Sequence, residues 1–419
     1  MLTTHPMCRS RSRSTTAMAL CCVLGMIAFC APDSDSRADE PQPVGQRTYG
    51  GHTVDEWRAR IKSFNLDDPG IASQVPGLIE LTRDTELPWF TRRQAALTLG
   101  RIGEPAAQAV PVMESFLHPE GEPEPLQTRL WAMKSLALFG PVAADAAGSI
   151  ASILQDETAP LTLRLSAVEA LGRIGTAARE PLPGLIATLR GQHGTGLADD
   201  EQAELQIAAA DILMLLRSEA SPAVPALIRA AQHDSPRMRR IAATTLGTIG
   251  PRADAAIPVL GELILFDEAE DVRDAAAIAL AGLGDPAIPA LLTLIEDQDV
   301  DVRWRAADAL GRLPSGPPAV EEALEKAIAE DEPVVRITAL ESLWSLTRDA
   351  AQVAPIALRY LADEDRQIRI RAYRLLQSLG RRVSVVREQL EALVDHPDPV
   401  VSHSADLLLE QLNGSTGTP

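Results

Sequence analysis

The chain has 419 residues and a formal net charge of -19, from 39 basic and 58 acidic residues. Such a surface repels phosphate backbones and anionic bilayers, which excludes the usual electrostatic route to nucleic-acid binding. Hydrophobic residues at 46% suffice for a core, but aromatics at 3% oblige that core to be built from Ala, Leu, Ile and Val.

The four cysteines, Cys8, Cys21, Cys22 and Cys30, all fall near the start. The rest of the chain therefore has no disulfide, no thiolate metal site and no cysteine nucleophile. Arg9, Arg11 and Arg13 precede an apolar stretch over residues 17–31. That stretch is shorter than the roughly twenty residues a spanning helix needs, and it has the layout of an export signal. Ser36 and Ala38 supply small residues for cleavage before Asp39, so residues 1–38 are expected to be a signal peptide. Cleavage before Ala31, acylation at Cys30 and an uncleaved anchor remain alternatives. The expected location is extracytoplasmic, periplasmic or secreted, with a membrane tether possible and no membrane-spanning segment after cleavage.

Residues 39–48 read as a polar linker and 49–75 as an N-terminal capping segment. In the latter, Thr53 can cap a helix, Glu56 three residues on completes a capping box, and Trp57 with Ile61 can pack on the first repeat. Gly50-Gly51 invites comparison with a phosphate loop, but no preceding strand or Lys/Ser signature is evident.

From residue 76 to 412 one pattern recurs ten times. Its first position is Arg92, Arg129, Arg164, Gln206, Arg239, Arg273, Arg303, Arg336, Arg369 or Ser402. Three residues on stands alanine in every copy (Ala95 to Ala405), and seven on stands leucine (Leu99 to Leu409). Ten on stands an apolar residue (Ile102 to Leu412), and the copies are spaced 30 to 42 residues apart. A period in this range marks stacked helical repeats. The expected fold is all-α, a right-handed α-α superhelix (a solenoid) of about ten two-helix repeats, ending in a disordered tail over 413–419.

The first helix of a repeat often carries proline near its start, as at Pro111, Pro183, Pro225, Pro258, Pro289 and Pro355, where a missing N–H is tolerated. Acidic turns such as Asp267-Glu268, Asp331-Glu332 and Asp363-Glu364-Asp365 lead into the second helix and are expected to cap it. Gly103, Gly140, Gly175, Gly250, Gly284 and Gly380 are expected to close it in a left-handed conformation. The copy at Gln206 lacks the arginine and comes after an insertion over 191–200, read as a surface loop.

At about 100° per residue, the alanine, leucine and apolar positions form one stripe, with the arginine at its edge. Arg92, Arg129, Arg164, Arg239, Arg273, Arg303, Arg336 and Arg369 are therefore expected to form a structural ladder with acidic turns. Two, five and nine residues after the first position lies the opposite face, the default binding surface of a solenoid. Trp131, Arg305, Arg371 and Arg374 are its candidate protein-binding residues, being of the types most often energetic at interfaces. Trp304 and Trp344 fall on the flank and are expected to pack between repeats.

No catalytic constellation and no cofactor site is expected. The seven histidines are scattered, and His396 and His403 straddle a turn. Asp297, Asp299 and Asp301 mimic the opening of a calcium loop without its glycine and closing glutamate.

The acidic turn, Val-Arg, paired alanines, Ala-Leu-Gly, apolar residue and glycine, as in Asp271-Val272-Arg273 to Gly284, resemble the short HEAT-like repeats of phycobilisome-lyase relatives. The lead from Tyr49 to Trp57 resembles the Gly-Lys-Ser-Val-x-x-Trp lead of exported planctomycete-type HEAT-repeat proteins. The resemblance implies a non-enzymatic scaffold that binds an unidentified protein partner. A bilin lyase or isomerase-like enzyme and a self-assembling cell-envelope protein are the alternatives.

Overall fold

The computed structural model describes residues 47–66, 68–118, 124–175, 182–191, 199–330 and 332–414, all within one compact unit. The expected signal peptide, the linker up to residue 46, Pro181, residues 192–198 of the insertion, Asp331 and the tail from 415 lie outside the described residues.

The described chain opens with a small antiparallel hairpin, β1 (Thr48–Tyr49) and β2 (His52–Thr53). Gly50 and Gly51 turn it with φ of +52° and +85°, as a two-residue hairpin loop requires. A strand does precede the glycine pair, and it serves a hairpin, not a phosphate loop. Arg47 and Thr48, read as linker, belong to this packed lead: Arg47 Nη2 lies 2.6 Å from Glu86, and its Nη1 donates to Asp84 at 3.1 Å.

α1 (Val54–Lys62) starts at the capping box. Thr53 N–H donates to Glu56 Oε2 at 2.7 Å, and Thr53 Oγ1 accepts from Glu56 N–H at 3.4 Å. Trp57 is buried, with Nε1 donating to the Tyr49 carbonyl at 2.8 Å. Gly77 makes room for it, since a Cβ there would sit 2.4 Å from the Trp57 ring. Tyr49 Oη donates to Asp84 Oδ2 at 2.6 Å. Burial and that carboxylate push the Tyr49 phenol up to about 12.

Behind this lead the described residues form ten helix pairs. The first helices are α2 (Val75–Arg83), α4 (Val110–Ser115), α6 (Ala147–Gln155), α8 (Leu182–Leu189), α10 (Val224–Ala230), α12 (Ile257–Phe266), α14 (Ile288–Leu294), α16 (Pro318–Glu330), α18 (Ala350–Tyr360) and α20 (Arg387–Leu393). The second helices are α3 (Trp89–Ile102), α5 (Leu126–Phe139), α7 (Leu161–Ile174), α9 (Asp199–Leu216), α11 (Pro236–Ile249), α13 (Glu270–Leu283), α15 (Val300–Gly311), α17 (Pro333–Thr347), α19 (Arg366–Ser378) and α21 (Pro399–Gly414). The last helix carries the fold through residue 414, two residues past the expected end.

All ten recurring alanines are fully buried, and so are nine of the ten recurring leucines. In the last copy Leu409 is half-buried and its neighbour Leu408 takes the core position. Small alanines let helix axes approach closely, which suits a core with few aromatics.

Helix ends depart from expectation in two ways. Gly103, Gly140, Gly175, Gly250 and Gly284 do have positive φ, but their ψ lies between -131° and -149°. This is the mirror of the extended region, open in practice only to glycine, and not the left-handed helical cap. The left-handed conformation occurs instead at Arg348, with φ 55° and ψ 23°. Pro355 lies inside α18, because that helix begins earlier, on the Asp349 cap.

Candidate functional site

The ladder arginines hold the turns within each repeat by a bond that the sequence pattern does not reveal. Most of them donate to main-chain carbonyls, not to acidic side chains. Arg92 Nε donates to the Thr82 carbonyl at 3.0 Å, and Arg164 Nη2 to the Leu154 carbonyl at 2.9 Å. Arg273 Nη1 clasps the carbonyls of Asp267 and Glu268, Arg303 Nη1 those of Asp297 and Gln298, and Arg369 Nη1 those of Asp363 and Glu364. These carbonyls lie in the last turn of the first helix or just past its end, where acceptors lack intrahelical donors and a cation is favoured. Gln206 keeps the same function without the charge, its Nε2 donating to the Leu189 carbonyl at 3.1 Å.

Arg239 makes the expected acidic rung. It clasps the His233 and Asp234 carbonyls and forks onto Asp267 of the next turn, at 2.6 and 2.8 Å. Burial disfavours the Asp267 carboxylate, but hydrogen bonds from Arg239 and the Ala269 N–H outweigh it and hold the carboxyl below its usual range. Arg129 and Arg336 make no such carbonyl bond among the described residues. Arg129 lies near enough to Asp156 to favour its ionised form, and Arg336 lies over the Tyr360 ring at 5.8 Å.

The acidic turns mostly hold themselves. Asp84, Asp156, Asp267, Asp297 and Asp363 each accept from the backbone N–H two residues on, at 2.8 to 3.0 Å. His233 and His396 do the same through Nδ1. Asp299, Asp365 and Asp398 cap second helices with their side chains. The Asp297-x-Asp299-x-Asp301 run is thus a pair of chained turn bonds.

Consecutive second helices lie side by side, and the residue after the recurring leucine sets how closely. A Cβ on Gly100 would sit 2.6 Å from the Ser135 carbonyl of α5. On Gly172 it would meet Ile212 of α9 at 2.3 Å, on Gly247 the Ala279 Cα of α13 at 2.7 Å, and on Gly311 Ser342 of α17 at 2.3 Å. These glycines were not singled out from the sequence, although "Leu-Gly" at the same place in Leu99-Gly100, Leu171-Gly172, Leu246-Gly247 and Leu310-Gly311 was the available signal.

In two later pairs of second helices an arginine links one helix to the helix before it. Between α13 and α15, Arg305 reaches back to the start of α13. Arg305 is 2% exposed, donates to Asp274 Oδ1 at 2.7 Å and to the Asp301 carbonyl at 2.9 Å, and lies over the Trp304 ring at 4.5 Å. Between α17 and α19, Arg371 reaches back to Glu341 and to Thr338 Oγ1, at 2.9 Å to the hydroxyl.

The four candidate binding residues therefore do not form one surface. Trp131 is 3% exposed, packed edge-on against Phe116 with the Arg92 guanidinium over it. Trp131 and Arg305 are interior, contrary to the expectation that they present themselves on the face. Arg371 is half-buried in its brace, and Arg374 is exposed. The same face also exposes Lys134, Leu215, Ile278 and Leu407. Trp344 packs at the flank, under the guanidinium groups of Arg348 and Arg382.

Helix pairs repeated around an alanine–leucine core, with their second helices side by side, define an all-α helical-repeat superhelix. Within that class, residues 194–281 and 257–344 match the family of HEAT repeats, so this part of the chain is built of HEAT-like repeats. No curated protein matches the chain. Among solved structures it is similar to an engineered protein, at 20% identity and a TM-score of 0.41, over 81% of this chain and 99% of that one. It is also similar to Kap95p, solved with RanGDP, at 13% identity and a TM-score of 0.40, over 86% of this chain and 57% of that one. Neither likeness is close enough to transfer a partner or an activity.

Proposed function

We infer that the chain is an exported, non-enzymatic scaffold that binds a protein partner through the face of its second helices. The observation that supports this most is the side-by-side run of those helices, brought together at Gly100, Gly172, Gly247 and Gly311. First helices stand further apart, as the open cleft between α16 and α18 illustrates. That difference supports an inner position for the second helices, where one residue from each repeat can contribute to a shared surface. Lys134, Ile278 and Arg374, each five residues after its ladder position, offer cationic and apolar contacts there. The basic and apolar residues at the start of the chain support export of this surface from the cytoplasm.

A photo-crosslinking residue placed at Ile278 or Arg374 tests the reading, with one at Glu262 on a first helix as reference. The expected result is a discrete crosslinked protein from the inner positions alone. Equal labelling from Glu262 would overturn the assignment of the face, and crosslinks only to a second copy of the chain would support a self-assembling role. Sequencing of the exported chain is expected to find Asp39 at its start.

A further inference from the structure

The second-helix face carries ion pairs that recur in register. Arg173 and Arg312, each nine residues after its ladder position, pair with Glu169 and Asp308, each five after it, at 3.3 and 2.7 Å. Arg240, one after its ladder position, pairs with Asp271, two before the next one, at 3.3 Å. Arg305 and Arg371 are met by Asp274 and Glu341 of the helix before.

α3 and α5 keep the cations and omit the carboxylates. Arg101 stands where Arg173 and Arg312 do, but the residue four before it is Leu97. Arg93 stands where Arg240 does, but Gln127 holds the position of Asp271. Lys134 takes the position of Glu169 and Asp308 with the charge reversed. The two helices contain Arg92, Arg93, Arg101, Arg129 and Lys134 and no acidic residue. Arg92 and Arg129 belong to the ladder edge. Arg93, Arg101 and Lys134 are exposed and make no ion pair among the described residues.

The charges around them are already engaged or stand elsewhere. On α1, Arg58 pairs with Asp55 at 3.0 Å, and on α7 Glu169 is taken by Arg173. Glu86, ahead of α3, lies 2.6 Å from Arg47. Glu124, ahead of α5, is a turn residue in register with Glu268.

Close packing gathers two of these cations. A Cβ on Gly100 would sit 2.6 Å from the Ser135 carbonyl, and Ser135 Oγ donates to the Ala96 carbonyl at 2.6 Å. Arg101 and Lys134 adjoin that contact on its exposed side. Like charges repel within a screening length of about 10 Å, and an anion set between them removes that cost. Apolar surface flanks them: Phe90 is 45% exposed with Arg58 over its ring at 5.2 Å, Trp89 is 58% exposed, and Leu97 and Leu138 are half-buried.

We propose that the α3–α5 end of the second-helix face docks an acidic segment of a partner protein. Its carboxylates meet Arg93, Arg101 and Lys134, and an apolar side chain lies against Phe90 and Leu97. The inference rests on the scaffold reading and deepens it, giving the charge of the partner and the end of the face it uses. On a chain of net charge -19, cations without carboxylates at one end also orient an acidic partner, because the rest of the surface repels it.

The test is calorimetric titration of the purified full chain with the blocked peptide acetyl-Glu-Leu-Glu-Glu-Leu-Glu-amide, and with its counterpart bearing Lys for Glu. One site for the acidic peptide is expected, with the basic one weaker by at least about tenfold. An Arg101→Glu/Lys134→Glu double variant changes two exposed positions and is expected to weaken binding by at least about tenfold with an unchanged circular dichroism spectrum. Arg229→Glu/Arg366→Glu makes the same change of charge away from α3 and α5, and is expected to leave affinity unchanged. A preference for the basic peptide, equal loss in the two double variants, or no binding at millimolar concentration would each overturn the proposal. Inorganic polyphosphate bound as tightly as the peptide would overturn it in favour of a site for any polyanion. Crosslinking at Ile278 and Arg374 does not depend on these cations, so it can succeed where this titration fails, and the scaffold face would then stand without an acidic partner.

Discussion

Gly247→Ala should destabilise the stack, although the same exchange in most helices does the reverse. Alanine is favoured over glycine in a helix interior by about 1 kcal/mol. At Gly247 the added Cβ would lie 2.7 Å from the Ala279 Cα and 3.0 Å from its Cβ. The first of these is backbone, so α11 and α13 must separate, and overpacking of this kind costs about 1–3 kcal/mol. Across the contact, Gly282 already sets a would-be Cβ 2.6 Å from the Gly247 carbonyl, so neither helix has slack. The expected net loss is up to about 2 kcal/mol. Gly261 in α12 provides the opposite case, because a Cβ there meets nothing within 4 Å. Gly261→Ala should therefore gain up to about 1 kcal/mol. Urea unfolding monitored by circular dichroism reads both, with the midpoint falling for the first variant and rising for the second. Two midpoints that move the same way would show that helix propensity decides at both sites, and that close approach at Gly247 is not limiting.

Three further outcomes rest on other local features. A spectrophotometric pH titration should show a tyrosine with a pKa of about 12 that disappears in Tyr49→Phe. Because the folded value is raised, its contribution to stability is complete below the ordinary tyrosine pKa and is lost as pH climbs through the folded one. Asp267→Asn should cost roughly 1.5–3 kcal/mol at neutral pH, the worth of a charge-assisted bond. The wild-type carboxyl is depressed, so that difference should shrink only as pH falls below the usual carboxylate range; a difference constant down to about pH 2 would exclude the linkage. Gly284→Ala has no neighbour to clash with, yet should lose about 1–3 kcal/mol because φ 72° and ψ -142° are closed to alanine.

The repeat was legible in the sequence because burial imposes a period, and a period shows without knowledge of neighbours. Alanine three on and leucine seven on from the arginine predict the buried stripe at all ten copies but for the shift to Leu408 in the last. The capping box at Thr53 and Glu56 was legible for the same reason, since its bonds close within one turn. What an exposed-looking position does was not legible. Trp131 and Arg305 occupy the same helical angle as each other, and Arg371 shares it, but their environment depends on the adjoining repeat, which helical periodicity does not encode. Phe116 receives Trp131, and Asp274 receives Arg305 across the gap between α13 and α15.

Gln206 shows why the ladder arginine is better understood as a donor than as a charge. In the sequence its glutamine reads as a lapse in the pattern, yet its amide reaches the end of α8 as arginine does elsewhere. Seven of the ten copies supply an N–H group on a stem long enough to reach the carbonyls where the first helix ends, because a carbonyl left unpaired there carries a desolvation cost. Charge adds most where a carboxylate is within reach, as Asp267 is for Arg239. Arg336 has the same reach and the same donors, and its guanidinium lies over the Tyr360 ring at 5.8 Å. Along one repeated position, the groups within reach of the guanidinium therefore determine whether it joins two turns or holds one.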